Sequence, residues 1–479
     1  MPERMPAQPP RTIGVVGAGF TGALLALHLL RRCDERDRIL LIEKSRRFGA
    51  GLAYGTGNPH HLLNVRAGNM SAFSADPDHF VRWLLRVQPP MRALIGDDPP
   101  DPTSFVSRGL YGAYIQQALA EEIWRGRRGD RLTIVNDEAV AVDRNATGGF
   151  VVTLAVGRKL PVDLAVLAIG NFPPSRSTAP VFGDPWDERA TSGLDADAPV
   201  VILGTGLTMV DTVVSLLDAG HQGKIRAISR RGLLPRQHLG AVPDETGEIR
   251  LPPPWRFETP PSGRSLVALM QLVRRTIDRA ERAGHGWRGV IDGLRPHTQR
   301  LWHELSLEDR KRFLRHLRPW WDVHRHRGAP QVMARIAEAR ERGQLEIVAG
   351  RVQSIASDGQ GVVVDVQPRG RAETVAIAGA RLIDCTGLNG DCTRIDQPLL
   401  KQLLDAGLAR PDPLRLGLDV TEAGALIDRS GHPAADLFAI GPITKGTFWE
   451  IVAVPDLRIA CEAMAERLLS AESRLRASA

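Results

Sequence analysis

Hydrophobic and polar positions near the start of the chain follow a strand, turn and helix pattern. Residues 12–16 form a short apolar run that predicts a buried strand, and residues 23–30 are apolar and helix-forming. A second apolar strand is predicted over residues 38–42. Between the first strand and the helix lies a glycine-rich hexapeptide, residues 17–22, and this hexapeptide holds the first candidate site.

The hexapeptide has the form G-x-G-x-x-G, with Ala18, Phe20 and Thr21 between its glycines. Gly17 would permit the tight turn, Gly19 would leave room for a pyrophosphate, and Gly22 would let the helix pack closely on the strand. The helix N-terminus then offers unpaired N–H groups to phosphates. An ordinary glycine turn is the alternative, so the residues that follow decide between the two.

An acid at the end of the next strand supports the nucleotide interpretation. Glu43 ends the second predicted strand, 21 residues after Gly22, and Lys44 follows it. An acid at this position can accept a hydrogen bond from a ribose hydroxyl. Strand, glycine turn, helix, strand and acid together predict a dinucleotide-binding site.

A second strand, turn and helix pattern begins at Pro199. Gly204 and Gly206 follow the strand, but Met209 occupies the position of the third glycine. The next predicted strand, 224–229, ends in Arg230 and Arg231 where the first pattern has an acid. Guanidinium groups can bind a 2′-phosphate that a carboxylate would repel, so this pair favours NADPH over NADH. A solvated arginine pair is the alternative.

Three further apolar strands end on glycine, over residues 163–170, 381–387 and 436–441. Gly170 and Gly441 end the first and the last of these strands. The order along the chain is therefore glycine turn, strand-Gly, glycine turn, strand-Gly, strand-Gly. This order predicts an α/β protein with two dinucleotide-binding domains.

Residues 251–345 differ from both patterns. Pro252, Pro253 and Pro254 break any regular element, and helical periodicity follows over residues 265–283 and 306–317. Between Arg264 and Arg327 lie four of the nine Trp and six of the thirteen His. Such a helical insertion could form the wall of a pocket for an acidic or planar substrate, or a scaffold whose polar side chains face water.

The densest part of this insertion is residues 320–327, Trp-Trp-Asp-Val-His-Arg-His-Arg. Its cations and indoles could hold a carboxylate or the phosphate of NADPH, with arginine stacked on tryptophan. A structural cluster is the equal alternative. His324 and His326 have no third ligand at useful spacing, so no metal site is predicted.

Composition and charge exclude several classes of protein. Hydrophobic residues make up 43% and charged residues 24% of the 479 residues, which excludes a disordered or fibrous chain. The net charge of +7 is regional, because residues 264–327 carry 15 Lys and Arg against 7 Asp and Glu. No helix-turn-helix, zinc-finger or ribonucleoprotein pattern accompanies this basic stretch, so nucleic acid is not a predicted partner.

The cysteines and the apolar N-terminal stretch bear on compartment. Four cysteines form no C-x-x-C pair, which fits a reducing, cytoplasmic compartment. Residues 12–30 contain no Asp, Glu, Lys or Arg and are long enough for a membrane span. The four glycines within them favour the strand-turn-helix interpretation, so no membrane span is predicted. The sequence assigns no oligomeric state.

The order of motifs resembles the two-dinucleotide-domain flavoproteins, which include disulfide reductases and flavin monooxygenases. More narrowly, several segments are similar to the YdhS-type bacterial FAD/NAD(P)-binding proteins: residues 51–55, 61–65, 69–73, 206–211 and 229–232. The resemblance implies FAD on the first site, NAD(P)H on the second, and a chain that returns to complete the FAD domain. One departure is Pro442, where the wider class usually has an Asp that contacts the flavin ribityl chain.

The resemblance carries over to individual positions and to domain boundaries. The residues expected to contact FAD or its surroundings are Gly17, Ala18, Gly19, Phe20, Thr21, Gly22, Glu43, Lys44, Asn64, Met70, Gly170 and Gly441. Gly204, Gly206, Arg230 and Arg231 are expected at NADPH. The FAD domain is expected over residues 11–195 and 391–479. The NADPH domain, with its helical insertion over about 251–345, is expected over 196–390.

These expectations lead to a flavin enzyme. Hydride transfer from NADPH to FAD would be the shared step. The absence of a cysteine pair near the first turn argues against a disulfide reductase, so a monooxygenase acting on a small polar molecule is the first hypothesis. An NAD(P)H reductase or oxidase and a non-catalytic flavin- or nucleotide-binding regulator are the alternatives. No side chain is assigned a catalytic role.

Overall fold

The structure is a computed structural model in which strands and helices alternate along most of the chain. It describes residues 10–45, 47–95, 99–125, 131–172, 179–240, 242–243, 249–250, 253–257, 265–387 and 390–470. Contacts divide the chain into two units. Unit 1 comprises Met1–Gly57, Arg66–Asn171 and Gly390–Ala479, and unit 2 comprises Asn58–Val65 and Phe172–Asn389.

The strands are, in chain order, β1 (Thr12–Val16), β2 (Arg38–Glu43), β3 (Leu132–Asn136), β4 (Ala139–Arg144), β5 (Phe150–Leu154), β6 (Lys159–Val162), β7 (Leu164–Leu167), β8 (Val181–Phe182), β9 (Val200–Leu203), β10 (Ile225–Ser229), β11 (Val242–Pro243), β12 (Ile249–Arg250), β13 (Leu345–Ser357), β14 (Val362–Pro368), β15 (Val375–Gly379), β16 (Arg381–Asp384), β17 (Ala425–Ile427) and β18 (Pro433–Ala439).

The α-helices are α1 (Phe20–Arg32), α2 (Gly51–Tyr54), α3 (His79–Arg86), α4 (Arg108–Trp124), α5 (Leu207–Asp218), α6 (Leu266–Arg282), α7 (Gly286–Leu294), α8 (Thr298–Glu304), α9 (Leu307–Arg312), α10 (Arg318–Arg325), α11 (Pro330–Glu341), α12 (Pro398–Asp405) and α13 (Val454–Leu469). A π-helical turn, Phe313–Leu317, joins α9 to α10.

Unit 1 is built on a six-stranded sheet with the order β17-β18-β7-β1-β2-β3. All neighbours in it are parallel except β17 and β18. Strand β1 is nearly all buried, because parallel strands are covered on both faces. Helix α1 buries eleven of its thirteen residues. The positive charges of Arg31 and Arg32 in its last turn interact favourably with the negative end of the helix dipole.

A three-stranded antiparallel sheet, β4-β5-β6, also belongs to unit 1. Its β4 contacts α12, where the Gln402 side-chain oxygen accepts a hydrogen bond from the Val142 amide at 3.0 Å. The core of this sheet includes Phe150 and Val152, both fully buried. The small sheet therefore ties the returning C-terminal segment to residues 139–162.

Unit 2 contains a seven-stranded sheet with the order β15-β14-β13-β10-β9-β16-β8. Its strands from β13 to β8 are parallel neighbours, and β13, β14 and β15 are antiparallel. Val201, Val364 and Val366 are fully buried in its core. Both units therefore have the Rossmann-like α/β architecture that the sequence predicts, and the fold class is confirmed.

Six helices, α6 to α11, lie between β12 and β13 and form the predicted helical insertion. Ser265 and Ser306 cap α6 and α9, because their side-chain oxygens accept hydrogen bonds from the amides of Ala268 and Asp309. The single helix expected over residues 306–317 is instead α9 followed by the π-helical turn.

The boundary between the units differs from the one expected near residue 195. Unit 1 stops at Asn171, because β8 pairs in parallel with β16 and so belongs to the sheet of unit 2. An eight-residue segment, Asn58–Val65, also belongs to unit 2 although it lies within the N-terminal part of the chain. Sequence periodicity cannot show either feature, since both depend on strands and helices that are distant along the chain.

The apolar stretch over residues 12–30 consists of β1, the glycine turn and most of α1. None of the helices in the described part of the chain is both long enough and apolar enough to cross a membrane.

Candidate functional site

The first glycine turn lies in unit 1 at the carboxyl end of β1. Gly17 has a positive φ of 96°, and a Cβ atom there would collide with the carbonyl oxygen of Ala168. A Cβ atom on Gly22 would collide with the carbonyl oxygen of Gly17. The first position therefore needs glycine for both its conformation and its space, and the third needs it for close packing of α1 against the turn.

The middle glycine of the turn has open space around it. An ideal Cβ on Gly19 would meet only the Cα of Gly51, at 3.6 Å. Helix α1 starts directly after Gly19, has no acid in its first turn, and no side chain caps it. The amides of Phe20, Thr21 and Gly22 have no acceptor among the described residues. This end of α1 therefore fits the phosphates of a dinucleotide.

Glu43 lies beside the same turn, at the end of β2. One of its carboxylate oxygens accepts a hydrogen bond from the Ala18 amide at 2.7 Å, and the other accepts from the Ser45 amide at 2.9 Å. Each oxygen has a second lone pair, so the side chain can still accept a hydrogen bond from a ribose hydroxyl. The carboxylate thus fixes the turn and keeps the capacity to accept a further hydrogen bond.

Aromatic rings surround the start of α1. Phe20 packs edge-on against Tyr54, with ring centroids 5.2 Å apart, and lies 5.7 Å from Tyr111. Tyr111 in turn lies 5.6 Å from Tyr114. All three tyrosines of the chain therefore pack together in unit 1, and Phe20 serves as part of this core.

Two other predicted positions lie at the carboxyl ends of strands in the same sheet. Gly441 follows β18 with a φ of 87°, and a Cβ atom there would lie 3.0 Å from the Thr21 hydroxyl oxygen. Gly170 follows β7 with a φ of 73° and has no neighbour within 4 Å of an added Cβ. Gly441 therefore adjoins the first turn of α1.

Three predicted positions have surroundings that differ from a cofactor contact. The Lys44 ammonium lies 3.4 Å from a carboxylate oxygen of Glu138 on the surface. The Met70 side chain is 1% exposed, so it packs in the protein interior. Asn64 belongs to unit 2, where its carbonyl oxygen is 3.0 Å from the His238 ring nitrogen Nε2. Their part in binding FAD stays a prediction.

The second glycine turn lies in unit 2 at the carboxyl end of β9. Gly204 has the same φ as Gly17, 96°, and a Cβ atom there would collide with the carbonyl oxygen of Cys385. Nothing lies within 4 Å of an added Cβ on Gly206, and α5 starts directly after it without an acid in its first turn. Met209 at the third position is fully buried. The turn is therefore a second dinucleotide-type turn.

The loop that follows β10 is tied to this turn. The Thr205 hydroxyl donates a hydrogen bond to the Leu233 carbonyl at 2.6 Å. The Ser229 hydroxyl oxygen lies 2.9 Å from the Thr205 hydroxyl oxygen. The loop begins with Arg230, which is exposed, and Arg231, which is half-buried. Neither side chain forms an ion pair or hydrogen bond with a described residue. Both guanidinium groups are therefore available to an anion at the second turn.

The aromatic and basic segment 320–327 divides between surface and interior. Trp320 is 45% exposed, and its carbonyl oxygen lies 2.8 Å from His324 Nδ1. Arg327 is buried and forms an ion pair with Asp292 on α7. The described residues contain no group of three or more His, Cys, Asp and Glu side chains placed to hold a metal ion.

All four cysteines are buried, and none of them forms a disulfide. Burial raises the pKa of the Cys385 thiol to about 12 and that of Cys392 to about 11, and it also raises the pKa of Cys461. A thiol is nucleophilic as its thiolate, so these cysteines stay inert at neutral pH. The chain therefore holds no cysteine pair suited to exchange with a disulfide.

Sequence reasoning missed several residues around the second turn. Thr205 fixes the loop that carries the arginine pair. Arg236 in the loop after β10, and Arg288 and Asp292 on α7, lie close to Arg327. No spacing in the sequence links Arg236, Arg288, Asp292 and Arg327, because they come from three separate parts of the chain. Only the charge imbalance of residues 264–327 gave a signal, and it did not identify individual residues.

Residues 14–172 match the model of a family described as FAD-NAD(P)-binding. This match includes the first glycine turn, Glu43 and β7, and covers less than half of the chain. No curated protein matches the sequence.

Solved structures resemble almost the whole chain. An ornithine N-hydroxylase from Kutzneria sp. 744, in a structure with reduced FAD, NADP+ and L-ornithine, has a TM-score of 0.62 at 14% identity, over 96% of this chain and 100% of that chain. Ornithine hydroxylase from Pseudomonas aeruginosa has a TM-score of 0.60 at 13% identity, over 96% and 98%.

A bacillithiol disulfide reductase from Bacillus cereus is also similar, with a TM-score of 0.52 at 12% identity over 96% of this chain and 99% of that chain. At such identities the likeness concerns the fold. Because one fold serves both hydroxylases and a disulfide reductase, the activity of this chain has to be argued from its own residues.

Proposed function

We propose that the chain is an FAD-dependent, NADPH-using oxidoreductase that acts as a monooxygenase on a small polar molecule. The observation that carries this proposal is the presence of two dinucleotide-type turns with opposite charge at the end of the following strand. The first turn has Glu43 beside it, which suits a ribose hydroxyl. The second has Arg230 and Arg231, which suit a 2′-phosphate.

The residues of unit 1 fit FAD. Gly17 and Gly19 would let the backbone approach the pyrophosphate, the first amides of α1 would bind its oxygens, and Glu43 would accept a hydrogen bond from the ribose. When bound, FAD accepts a hydride from NADPH and passes the electrons on. The family model over residues 14–172 supports the same cofactor.

The cysteines favour a monooxygenase over a disulfide reductase. All four thiols are buried outside any disulfide, and burial raises the pKa of three of them, so the chain lacks a dithiol to carry electrons to a disulfide. The ornithine hydroxylases of similar fold support an amine as the group that is hydroxylated. The lack of a disulfide among the four cysteines also supports a cytoplasmic location.

Two alternative functions fit the same cofactor sites but differ from a monooxygenase in what happens to the electrons. An NAD(P)H reductase or oxidase would pass electrons to another acceptor or to oxygen, and a flavin- or nucleotide-binding regulator would not turn over. The YdhS-type resemblance is compatible with all three. An acidic or planar substrate is proposed from the basic, aromatic helical insertion.

The test starts from the visible spectrum of the purified protein. We expect bound flavin, which NADPH bleaches much faster than NADH in the absence of oxygen. Oxygen uptake and hydrogen peroxide release are then measured with and without ornithine or lysine. A monooxygenase consumes oxygen with little peroxide when its substrate is present, whereas an oxidase releases peroxide throughout.

Three outcomes would contradict parts of the proposal. A colourless protein that does not bind added FAD would refute the assignment of the first turn. A yellow protein that neither nucleotide reduces would favour the regulator. A protein reduced by NADPH that releases one peroxide for every oxygen, whatever amine is added, would favour the oxidase.

A further inference from the structure

Three arginines from separate parts of unit 2 form a group that we call the arginine cluster: Arg236, Arg288 and Arg327. Arg236 lies in the loop after β10, Arg288 on α7, and Arg327 between α10 and α11. The Gly328 amide donates a hydrogen bond to the Arg236 carbonyl at 2.9 Å. The Arg288 guanidinium donates to the Gln237 carbonyl at 3.3 and 3.2 Å. These bonds hold the three segments together.

The cluster has more positive than negative charge. Asp292 pairs with Arg327, and neither Arg236 nor Arg288 has an ion pair with a described residue. Burial lowers the pKa of Arg288, and the positive charges of Arg327 and Arg236 lower it further. Three guanidinium groups against one carboxylate leave a net charge of +2, which an anion would offset.

One donor of the cluster is buried and unused. Arg327 is 5% exposed, and its Nε has no hydrogen-bond partner among the described residues. A buried donor without a partner has lost its hydrogen bonds to water and gained none in return, so such groups are rare in folded proteins. A bound anion could accept this hydrogen bond and remove the cost.

Aromatic rings support the cluster from one side. The Arg288 guanidinium carbon lies 4.6 Å from the centroid of the Trp287 ring. The Trp287 ring packs edge-on against His324 with centroids 4.8 Å apart. Stacking on an indole restricts the guanidinium plane, and a fixed plane favours paired hydrogen bonds to a carboxylate or phosphate.

The cluster also adjoins the second glycine turn. A Cβ atom on Gly328, the residue after Arg327, would lie 3.8 Å from a methyl carbon of Leu207. Leu207 is the first residue of α5, directly after Gly206. The loop that links Arg230 and Arg231 to Arg236 is the one that Thr205 fixes to this turn. The arginine cluster therefore lies beside the place where the second dinucleotide is proposed.

We propose that the arginine cluster is a binding site for a phosphate or carboxylate group, carried by the nicotinamide dinucleotide or by the substrate. Its three guanidinium groups form charge-assisted hydrogen bonds to the anion, and Asp292 holds Arg327 in place. The site itself is independent of the enzyme activity, but the assignment of its anion to cofactor or substrate rests on the proposed function.

The test measures binding of inorganic phosphate to the full-length, flavin-loaded protein. Thermal unfolding is followed as phosphate replaces chloride at constant ionic strength, so that general screening is the same throughout. We expect the melting temperature to rise with phosphate and to saturate. In Arg288→Gln the phosphate concentration needed for half of the rise increases at least tenfold.

Two further variants separate binding from general effects. Arg236→Gln changes an exposed residue of the cluster and should also weaken phosphate binding. Arg312→Gln, on α9 of the same helical insertion, removes an equal charge from a side chain paired with Glu308 at 3.4 Å and should leave it unchanged. The melting temperatures in chloride show whether each variant is folded.

Titration with NADP+ identifies the source of the anion. If Arg288→Gln weakens NADP+ as well as phosphate, and the two compete, the cluster binds a phosphate of the dinucleotide. If NADP+ affinity is unchanged and phosphate binds alongside it, the cluster holds the substrate anion. Either result supports the site.

The proposal is overturned if phosphate gives no saturable rise, or if Arg288→Gln and Arg312→Gln respond alike. Failure of the proposed function gives a different result. A protein that binds phosphate through Arg288 but is not reduced by NADPH retains the anion site and loses the oxidoreductase assignment.

Discussion

The two glycine turns have nearly the same backbone but different requirements at their third position. Gly17 and Gly204 share a φ of 96°, and an added Cβ on either would collide with a carbonyl oxygen of the neighbouring strand end. A Cβ on Gly22 would collide with the carbonyl of its own turn, yet Met209 fills the matching position in the second turn and is buried there. Helix α5 therefore packs against its turn less closely than α1 does.

The comparison shows which parts of the motif are set by backbone geometry and which are set by the ligand. The first glycine is required in both turns because the backbone there has a positive φ and leaves no space for a Cβ atom. The third glycine depends on how closely the helix packs. In unit 1 the next strand, β2, ends with Glu43, whereas in unit 2 Arg230 directly follows β10, and we propose that these residues decide the charge that each site accepts.

The largest effect is expected from Gly22→Ala. The added methyl group would collide with the Gly17 carbonyl, so α1 has to move away from the turn. We expect the purified protein to lose nearly all of its flavin, as measured by flavin absorbance relative to protein. Met209→Leu conserves volume at the matching position and should keep NADPH binding. Full flavin occupancy in Gly22→Ala would show that close packing is not required in the first turn.

A charge change at the second turn should alter nucleotide preference. In Arg230→Gln/Arg231→Gln we expect NADPH to bind about 100-fold more weakly, since hydrogen bonds to a charged group contribute about 1.5–3 kcal/mol each. NADH affinity should hardly change. Arg226→Gln, on β10 and paired with Glu346 at 3.3 Å, is the matched control. An unchanged ratio of the two affinities would mean that the pair is only solvated.

Helix α1 contains a buried histidine, and α5 contains none. Burial lowers the pKa of His28 from 6.5 to about 4, although Glu462 opposes the shift and Arg32 adds to it. The folded protein therefore takes up this proton less readily than the unfolded chain. Its stability should fall as the pH drops from about 6.5 to about 4, by on the order of 2 kcal/mol from this group.

In denaturant titrations of the protein, His28→Gln should reduce the fall in stability between about pH 6.5 and about pH 4. At each pH, the unfolding free energy of the variant is subtracted from that of the wild-type protein. The difference removes the effect of other groups, including His79, whose pKa is also lowered by burial. If the stability of the two proteins depended on pH in the same way, His28 would take up its proton as readily in the folded protein as in the unfolded chain.

The smallest effects are expected from the tyrosines beside the first turn. The Tyr111 hydroxyl is buried without a hydrogen-bond partner among the described residues, so Tyr111→Phe should be neutral or stabilising by up to about 1 kcal/mol. The Tyr114 hydroxyl accepts a hydrogen bond from the Ala72 amide at 3.1 Å and lies 2.8 Å from His79 Nδ1. Tyr114→Phe should cost about 1 kcal/mol in thermal unfolding. The opposite order would contradict these contacts.

Local patterns predicted much of the fold. The runs over residues 12–30 and 199–217 gave both strand, turn and helix units, because a turn at the end of a parallel strand is specified by neighbouring residues. The helical insertion followed from a change in periodicity and from the serine caps of α6 and α9. Ser306 shows that a capping residue can be recognised without any tertiary information.

The rest depends on contacts between distant segments. Nothing near Val181 indicates that β8 pairs with β16, and nothing near Asn64 assigns its segment to unit 2. The sequence pattern also does not show that Met70 is buried, because its burial depends on tertiary packing. The arginine cluster was invisible for the same reason, since its hydrogen bonds join residues 236–237 to 288 and 328.

The chain passes between the two units four times, and this sets the order in which they can be completed during synthesis. Asn58–Val65 is made early and supplies contacts to α5, including His61 Nε2, 3.0 Å from the Asp211 carbonyl oxygen. Unit 2 thus has all of its residues once position 389 has left the ribosome. Unit 1 still lacks β18, and until that strand is made β7 has an unpaired edge. The unit proposed to bind NADPH can therefore fold while the one proposed to bind FAD is still waiting for its last strand.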